Sequence, residues 1–209
     1  MQDLIAPFVT LFVTIDPPGL APLFLALTGG MDRAARTGVA ARATITGFAI
    51  LLLFAVAGTA ILNTFGITIH AFRIAGGLLL FWIAFEMIFE KRQDRHEKSA
   101  DRALNVDEIR SLAVFPLAIP LIAGPGAISA TILLSDQFSS LVDRSKLIAI
   151  VGGIIALTFL VFVLAERLDR LLGVTGRMVL TRLLGVILAA LAVQFVADGI
   201  FALISARAV

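Results

Sequence analysis

Asp16-Pro17-Pro18-Gly19 interrupts the first long apolar stretch of the chain, and Gly124-Pro125-Gly126 interrupts the fourth. Proline cannot donate a backbone hydrogen bond, and it disfavours helical geometry at the residue before it, so each stretch should stop as a helix and restart at its break. Asp16 suits the N-cap of the first restarted helix, and Gly124 suits the cap of the second. Because helix breakers inside membrane-length segments cost stability, two of them at matching places predict a site.

Composition places these breaks in a membrane. Of the 209 residues, 59% are hydrophobic and 15% are charged, whereas a soluble domain has about half apolar and about a quarter charged residues. Six stretches approach the roughly 20 apolar residues that a helix needs to cross about 30 Å of hydrocarbon. They cover residues 4–27, 43–63, 72–90, 112–135, 147–166 and 183–204. Continuous runs without alternation favour helices over a barrel. We therefore expect an all-α membrane protein with six transmembrane helices, of which helices 1 and 4 are discontinuous.

Several classes of protein are excluded or disfavoured by the residue types present. The absence of cysteine excludes disulfides and zinc-thiolate sites, and two histidines, His70 and His96, leave too few co-ligands for a metal site. No nucleotide-binding or hydrolase motif occurs, so we expect no enzyme activity, no metal and no cofactor. Lys and Arg are spread among loops, which disfavours a nucleic-acid partner. The first stretch carries Asp3 where a signal peptide has a basic region, so we expect it to remain in the mature chain.

The basic residues predict orientation. Most of them fall in the loops after spans one, three and five. By the positive-inside rule those loops are cytoplasmic, and both termini lie outside. The longest hydrophilic stretch, residues 91–111, is then a cytoplasmic linker. It divides one integral membrane domain, 1–209, into a first three-helix repeat at 1–90 and a second at 112–209.

The two halves can be laid over one another. The equivalent pairs are Phe8 with Phe115, Pro18 with Pro125, Gly19 with Gly126, Thr28 with Ser135, Arg73 with Arg182 and Gly76 with Gly185. Three is an odd number of crossings, so a repeat of three spans must re-enter from the other side of the membrane. We therefore predict two inverted three-helix repeats, an architecture of many secondary transporters.

Inversion gives the breaks a chemical role. The two restarted helices would point their N-termini at the bilayer centre from opposite sides, and free N–H groups at a positive helix end bind anions such as a carboxylate. We expect the substrate to contact Thr14, residues 16–19, residues 124–126 and Gln194. The alternative is that the prolines are ordinary kinks and the glycines only allow close helix approach.

Ionisable residues within the spans are the candidates for coupling. Asp16 is the acid nearest the middle of a span, which makes it a functional candidate, although it could serve only as an N-cap. Asp198 shares a helix face with Gln194 and is either a pathway residue or a solvated helix end. Glu86 is either a coupling residue or an interfacial acid paired with Lys91 or an arginine. Arg73 and Arg182 are expected to extend to their interfaces.

Hydroxyl side chains surround both breaks. The set is Thr10, Thr14, Ser129, Thr131 and Ser135. They could line a polar cavity, but hydroxyls in helices usually bond to their own backbone.

Three segments together resemble the MarC family of bacterial inner-membrane proteins. They are FVTIDPPGLAPLF at 12–24, PLAIPLIAGPGAI at 116–128 and QFVADG at 194–199, and the resemblance covers nearly the whole chain. It implies a small transporter, because the family includes a carrier of small neutral amino acids such as glycine and alanine and is grouped with LysE-type exporters.

The resemblance and the breaks together lead to one expectation. The chain would be a secondary transporter of small neutral amino acids, or related small metabolites, in the bacterial inner membrane. It would work by alternating access, with proton coupling favoured over sodium coupling. A non-transporting scaffold or regulatory protein, a drug or metabolite exporter and a channel are the alternatives. A homo-oligomer is left open.

Overall fold

The computed structural model describes residues 2–89, 113–138 and 140–207, and every regular element in these ranges is helical. The helices are α1 (Gln2–Ile15), α2 (Pro17–Leu27), α3 (Arg33–Thr64), α4 (Ile69–Ile88), α5 (Ala113–Ile122), α6 (Pro125–Gln137), α7 (Leu141–Val163) and α8 (Ala165–Arg207). The backbone of α5 is extended at Phe115 and Ile119, and α8 bends at Gly173, which has a φ of 58°. The predicted linker at 91–111 lies outside the described residues.

Five helical stretches are long and apolar enough to cross a membrane, and the first of them, Leu4–Leu27, joins α1 and α2. A sixth crossing results if α5 and α6, which meet at 55°, form one span. The prediction of an all-α membrane protein is confirmed. The loop boundaries were wrong in two places, because α3 begins at Arg33 and α8 begins at Ala165, so the arginines assigned to these loops are helical.

The first interruption is confined to one residue. Asp16 adopts a left-handed conformation, with φ 56° and ψ 60°, between the last residue of α1 and the first of α2. Its N–H still donates to Phe12 O at 2.9 Å, and Leu20 N donates to its carbonyl at 3.1 Å. Helical hydrogen bonding therefore resumes at once, and the two helices form one span.

The second interruption bends the chain more strongly. Ala123 N donates to Ala118 O at 2.9 Å, a spacing of five residues. Gly124 is then extended, with φ −79° and ψ 170°, and Pro125 is the first residue of α6. A Cβ at Gly124 would collide with Pro120 O, so the tight turn between α5 and α6 requires glycine.

Small residues bring α4 and α8 together as an antiparallel pair. A Cβ at Gly199 would lie 2.8 Å from Ile74 Cγ1, near the start of α4, and a Cβ at Gly185 would lie 3.0 Å from Met87 Cβ, near its end. Close approach increases van der Waals packing, which helps to hold helices together in lipid, where the hydrophobic effect does not drive their association. The third span of one half therefore packs along the last span of the other.

The remaining helices interlock across the two halves. A Cβ at Gly47 in α3 would lie 3.2 Å from Ile122 Cβ in α5, and Gly58, farther along α3, meets Ile132 in α6. Because both residue numbers increase from the first contact to the second, α3 runs parallel to the segment formed by α5 and α6. In turn, α7 packs against α1 and α2. Each half supplies part of the other's core.

Two ion pairs mark the ends of the bundle. Arg36 Nη1 pairs with Glu166 Oε1, which joins the start of α3 to the start of α8. Arg73 Nη2 lies 2.8 Å from Asp136 Oδ2, which joins the start of α4 to the end of α6. Arg73 was expected to extend to the interface, but its side chain is 17% exposed and bonds within the protein. Alternate turns thus lie at the same end, as in a chain that crosses back and forth.

The Arg36–Glu166 pair should depend on pH. The hydrogen bond from Arg36 lowers the pKa of Glu166 below its ordinary value. A depressed folded pKa means that the pair stabilises the protein above the unfolded pKa and that this contribution disappears as the pH falls through the folded pKa. In a double-mutant cycle of Arg36→Gln and Glu166→Gln, we expect coupling in thermal stability at about pH 7 that declines in acid as the Glu166 carboxylate becomes protonated. Coupling that persists in acid would contradict the assignment.

Candidate functional site

The two interruptions meet in the interior of the bundle. A Cβ at Gly126, the second residue of α6, would lie 3.2 Å from Thr14 Cγ2 at the end of α1 and would overlap Ile83 Cδ1 of α4. Thr14 is 3% exposed, and Gly126 is buried. The end of the first half-span thus packs directly against the start of the restarted helix in the fourth, and α4 closes this contact from the side.

Asp16 follows this contact by two residues and is 3% exposed. Its Oδ1 accepts a hydrogen bond from Gly19 N at 3.1 Å, and a Cβ at Gly19 would collide with the same carboxylate. Glycine is therefore required here for the carboxylate to fold back over the N-terminus of α2. A buried acid within a span is costly, and the helix end offsets part of that cost.

The two helix N-termini differ in the group that caps them. The N-terminus of α2 already holds the Asp16 carboxylate. At α6 the capping residue is Gly124, which provides no side-chain hydrogen bond. The physical reason is that Asp16 can bond to its own helix, whereas glycine has no side chain. The N-terminus of α6 therefore lacks the side-chain hydrogen bond that Asp16 provides at α2.

The prolines face different surroundings. Pro17 is buried, whereas Pro125 is exposed. Pro18 lines a cavity of about 190 Å³, whose other walls come from α7 and from both sides of the bend in α8. Apart from Arg177, its lining side chains are apolar.

The hydroxyl groups near the breaks bond mainly to their own helices. Thr14 Oγ1 donates to Thr10 O at 2.6 Å, and Thr131 Oγ1 donates to Ala127 O at 2.7 Å. Thr10 and Ser135 behave in the same way. These bonds satisfy the hydroxyl donors while leaving oxygen lone pairs as acceptors.

Gln194 and Asp198 do not join the buried residues around the breaks. Gln194 Nε2 donates to Asp198 Oδ1 at 2.7 Å, and both residues are exposed. The glycine face of α8, with Gly185 and Gly199, packs on α4 and turns these two side chains outward. The prediction that Gln194 contacts the substrate therefore has no support from the geometry.

Glu86 is buried, at 4% exposure, and its Oε1 accepts a hydrogen bond from Trp82 Nε1 at 3.0 Å. The predicted partner Lys91 lies outside the described residues. Within residues 2–89, 113–138 and 140–207, no three His, Asp or Glu side chains cluster as metal ligands do. Sequence reasoning did not single out Ile83, because one apolar residue in an apolar helix carries no signal for the face on which it lies.

A family model described as "MarC family integral membrane protein" matches residues 1–204. The chain belongs to the MarC family. This confirms the resemblance and agrees with the helices described above. Similar proteins come from archaea as well as bacteria, and their sequences align with most of the chain.

Three of these relatives carry the name UPF0056 membrane protein. One from Archaeoglobus fulgidus is 39% identical over 93% of this chain and 91% of its own length. YvbG of Bacillus subtilis is 38% identical over 92% of each chain. YhcE of Escherichia coli is 36% identical over 92% of this chain and 89% of its own. Their names describe membrane proteins and state no substrate. No solved structure matches the chain.

Proposed function

We propose that this MarC protein is a secondary transporter of small neutral amino acids, of the size of glycine or alanine, that works by alternating access. The observation that carries the proposal is the packing of Thr14 against Gly126 beside the buried Asp16. Two interrupted spans from different halves of the chain meet at their interruptions. Discontinuous helices that meet near the middle of a bundle are where many transporters bind substrate and coupling ion.

We further propose six crossings arranged as two inverted repeats. The antiparallel packing of α4 with α8 supports this arrangement. So does an exchange between halves, in which α2 packs against α8 while α6 packs against α4. In each case the restarted helix of one half contacts the third span of the other. Rocking of one half against the other would change access to the contact between the breaks.

The site would divide the two charges of an amino acid. The uncapped N-terminus of α6 would receive the carboxylate, and Asp16 would attract the ammonium group or carry the coupling proton. The cavity lined by Pro18 has a volume of about 190 Å³. Drug-sized ligands occupy pockets of about 300–1,000 Å³, so the dimensions favour a small solute over a drug.

Orientation follows from the charges at the two ends. The end with the Arg36–Glu166 pair also holds Arg33 and Arg167. By the positive-inside rule we place this end in the cytoplasm. The α3–α4 turn, the α6–α7 turn and both termini would then face the outside of the inner membrane.

Uptake by the purified protein in liposomes tests this function. We expect saturable entry of labelled glycine and alanine that is faster with an imposed proton gradient and is abolished by a protonophore. Protein-free liposomes are the control. If uptake of both amino acids equals that of protein-free liposomes under every gradient, the transporter proposal fails and a scaffold role becomes the better interpretation.

A further inference from the structure

A second cavity, of about 250 Å³, opens at the Arg36–Glu166 end of the bundle. Its walls come from α2, the α2–α3 turn and the start of α3 on one side, and from the end of α7 and the start of α8 on the other. It is thus formed where the two halves of the chain meet, at the level where the ion pair joins them. None of its lining residues belongs to the breaks.

The charges that line this cavity are unbalanced. Arg33, Arg36 and Arg167 contribute three positive groups, and Glu166 contributes one negative group. The Glu166 carboxylate is engaged by Arg36 Nη1. The remaining positive charge creates a potential that concentrates anions in a recess with low-dielectric walls.

A buried donor also indicates a missing acceptor. Arg36 Nε is buried and has no hydrogen-bond partner in the part of the chain that the structure describes. A buried donor without an acceptor costs about 1–3 kcal/mol. Guanidinium groups match the planar oxygen pair of carboxylates and phosphates, so a small oxyanion in this cavity could satisfy the donor and balance the charge.

The floor of the cavity separates it from Asp16. Phe24 and Phe162 stack with ring centroids 4.4 Å apart and planes inclined by 3°, and they are 0% and 1% exposed. Eight residues along a helix cover about 12 Å, which is the axial distance from Asp16 to Phe24. A solute that moves from this end to the breaks along α2 must pass the aromatic pair.

We propose that this cavity is an oxyanion-binding site, formed by Arg33, Arg36 and Arg167 in front of the Phe24–Phe162 stack. For a transported amino acid, it would hold the carboxylate before the stack opens. That role rests on the proposed function, whereas oxyanion binding itself does not. A lipid phosphate and a free carboxylate share the required chemistry.

The lack of native cysteine allows a direct test by thiol labelling. Thr37 lines the cavity, and Thr37→Cys is close in size to the native residue. We expect this cysteine, in vesicles at low salt, to be labelled faster by an anionic methanethiosulfonate that bears a sulfonate than by a cationic one that bears a trimethylammonium group. After correction for the intrinsic reactivity of the two reagents, the ratio of the labelling rates should be about ten. Asn63→Cys, exposed at the other end of the same helix, should show a ratio near one.

Replacement of the arginines supplies the decisive comparison. The double substitution Arg33→Gln/Arg167→Gln in the Thr37→Cys background should reduce the ratio of labelling rates toward the ratio for Asn63→Cys. The melting temperature should change no more than it does on substitution of an exposed residue. A ratio near one in the parent variant would overturn the proposal. A high ratio that persists without the two arginines would also overturn it.

Added ligands identify the source of the oxyanion. Slower labelling in millimolar acetate, glycine or inorganic phosphate supports a site for soluble oxyanions. Slower labelling only with increasing anionic lipid supports a headgroup ligand and excludes the carboxylate-holding role. Protection by acetate in a protein that does not take up glycine would retain this site and reject the transporter, so the two proposals can fail separately.

Discussion

Asp16→Asn is expected to reduce glycine uptake by about 10- to 100-fold while the protein stays folded. Asparagine keeps an oxygen that can accept the hydrogen bond from Gly19 N, and it tolerates the left-handed backbone found at φ 56°. The substitution removes the negative charge and the titratable proton. A hydrogen bond to a charged group contributes about 1.5–3 kcal/mol, which corresponds to the expected loss.

Initial uptake rates and thermal unfolding of the same preparations would measure this effect. Asp16→Ala is the matched control for the cap, because alanine loses the acceptor and is strained at positive φ by about 1–2 kcal/mol. We expect Asp16→Ala to be less stable than the wild type and Asp16→Asn to be close to it. Wild-type uptake by a well-folded Asp16→Asn variant would restrict Asp16 to capping and remove it from the site.

The helical class and the apolar spans could be predicted because they depend on local signals. Apolar length identifies a span, and proline marks the residue where helical geometry changes. The starts of α3 and α8 were missed for a related reason. Apolar length reports the edge of the hydrocarbon, whereas backbone hydrogen bonding continues past it, and Asp32 caps α3 by accepting from Ala35 N at 2.7 Å.

The face of each helix that packs inside the protein could not be predicted in the same way. In a soluble helix, an apolar stripe shows which face is buried, but in a membrane helix both lipid and protein contact apolar side chains. Gln194 therefore looked equivalent to other polar residues in spans, although the packing of Gly199 on α4 turns it outward. The sequence also could not show whether the Asp16 carboxylate bonds to the N-terminus of α2 or to a ligand.

Gly126→Ala is expected to reduce uptake strongly and to destabilise the protein by about 1–3 kcal/mol, the usual cost of overpacking. The new methyl group would overlap Ile83 Cδ1 and approach Thr14 Cγ2 to 3.2 Å. Gly153→Ala in α7 is the matched control, because a Cβ there has nothing within 4 Å. That control should leave uptake unchanged and should increase stability by about 0.5–1 kcal/mol through its helix propensity.

Removal of the overlapping atom should restore function if the overlap is the cause. Ile83→Val removes Cδ1, so the double variant Gly126→Ala/Ile83→Val should be more stable and more active than Gly126→Ala alone, with a coupling of about 0.5–3 kcal/mol. Strictly additive effects would mean that Gly126 and Ile83 do not share this contact. A solute that crosses at the contact between Thr14 and Ile83 must respond to a methyl group placed there. If the stabilities are coupled but every variant takes up glycine at the wild-type rate, the contact between the breaks holds the helices together and lies off the substrate path.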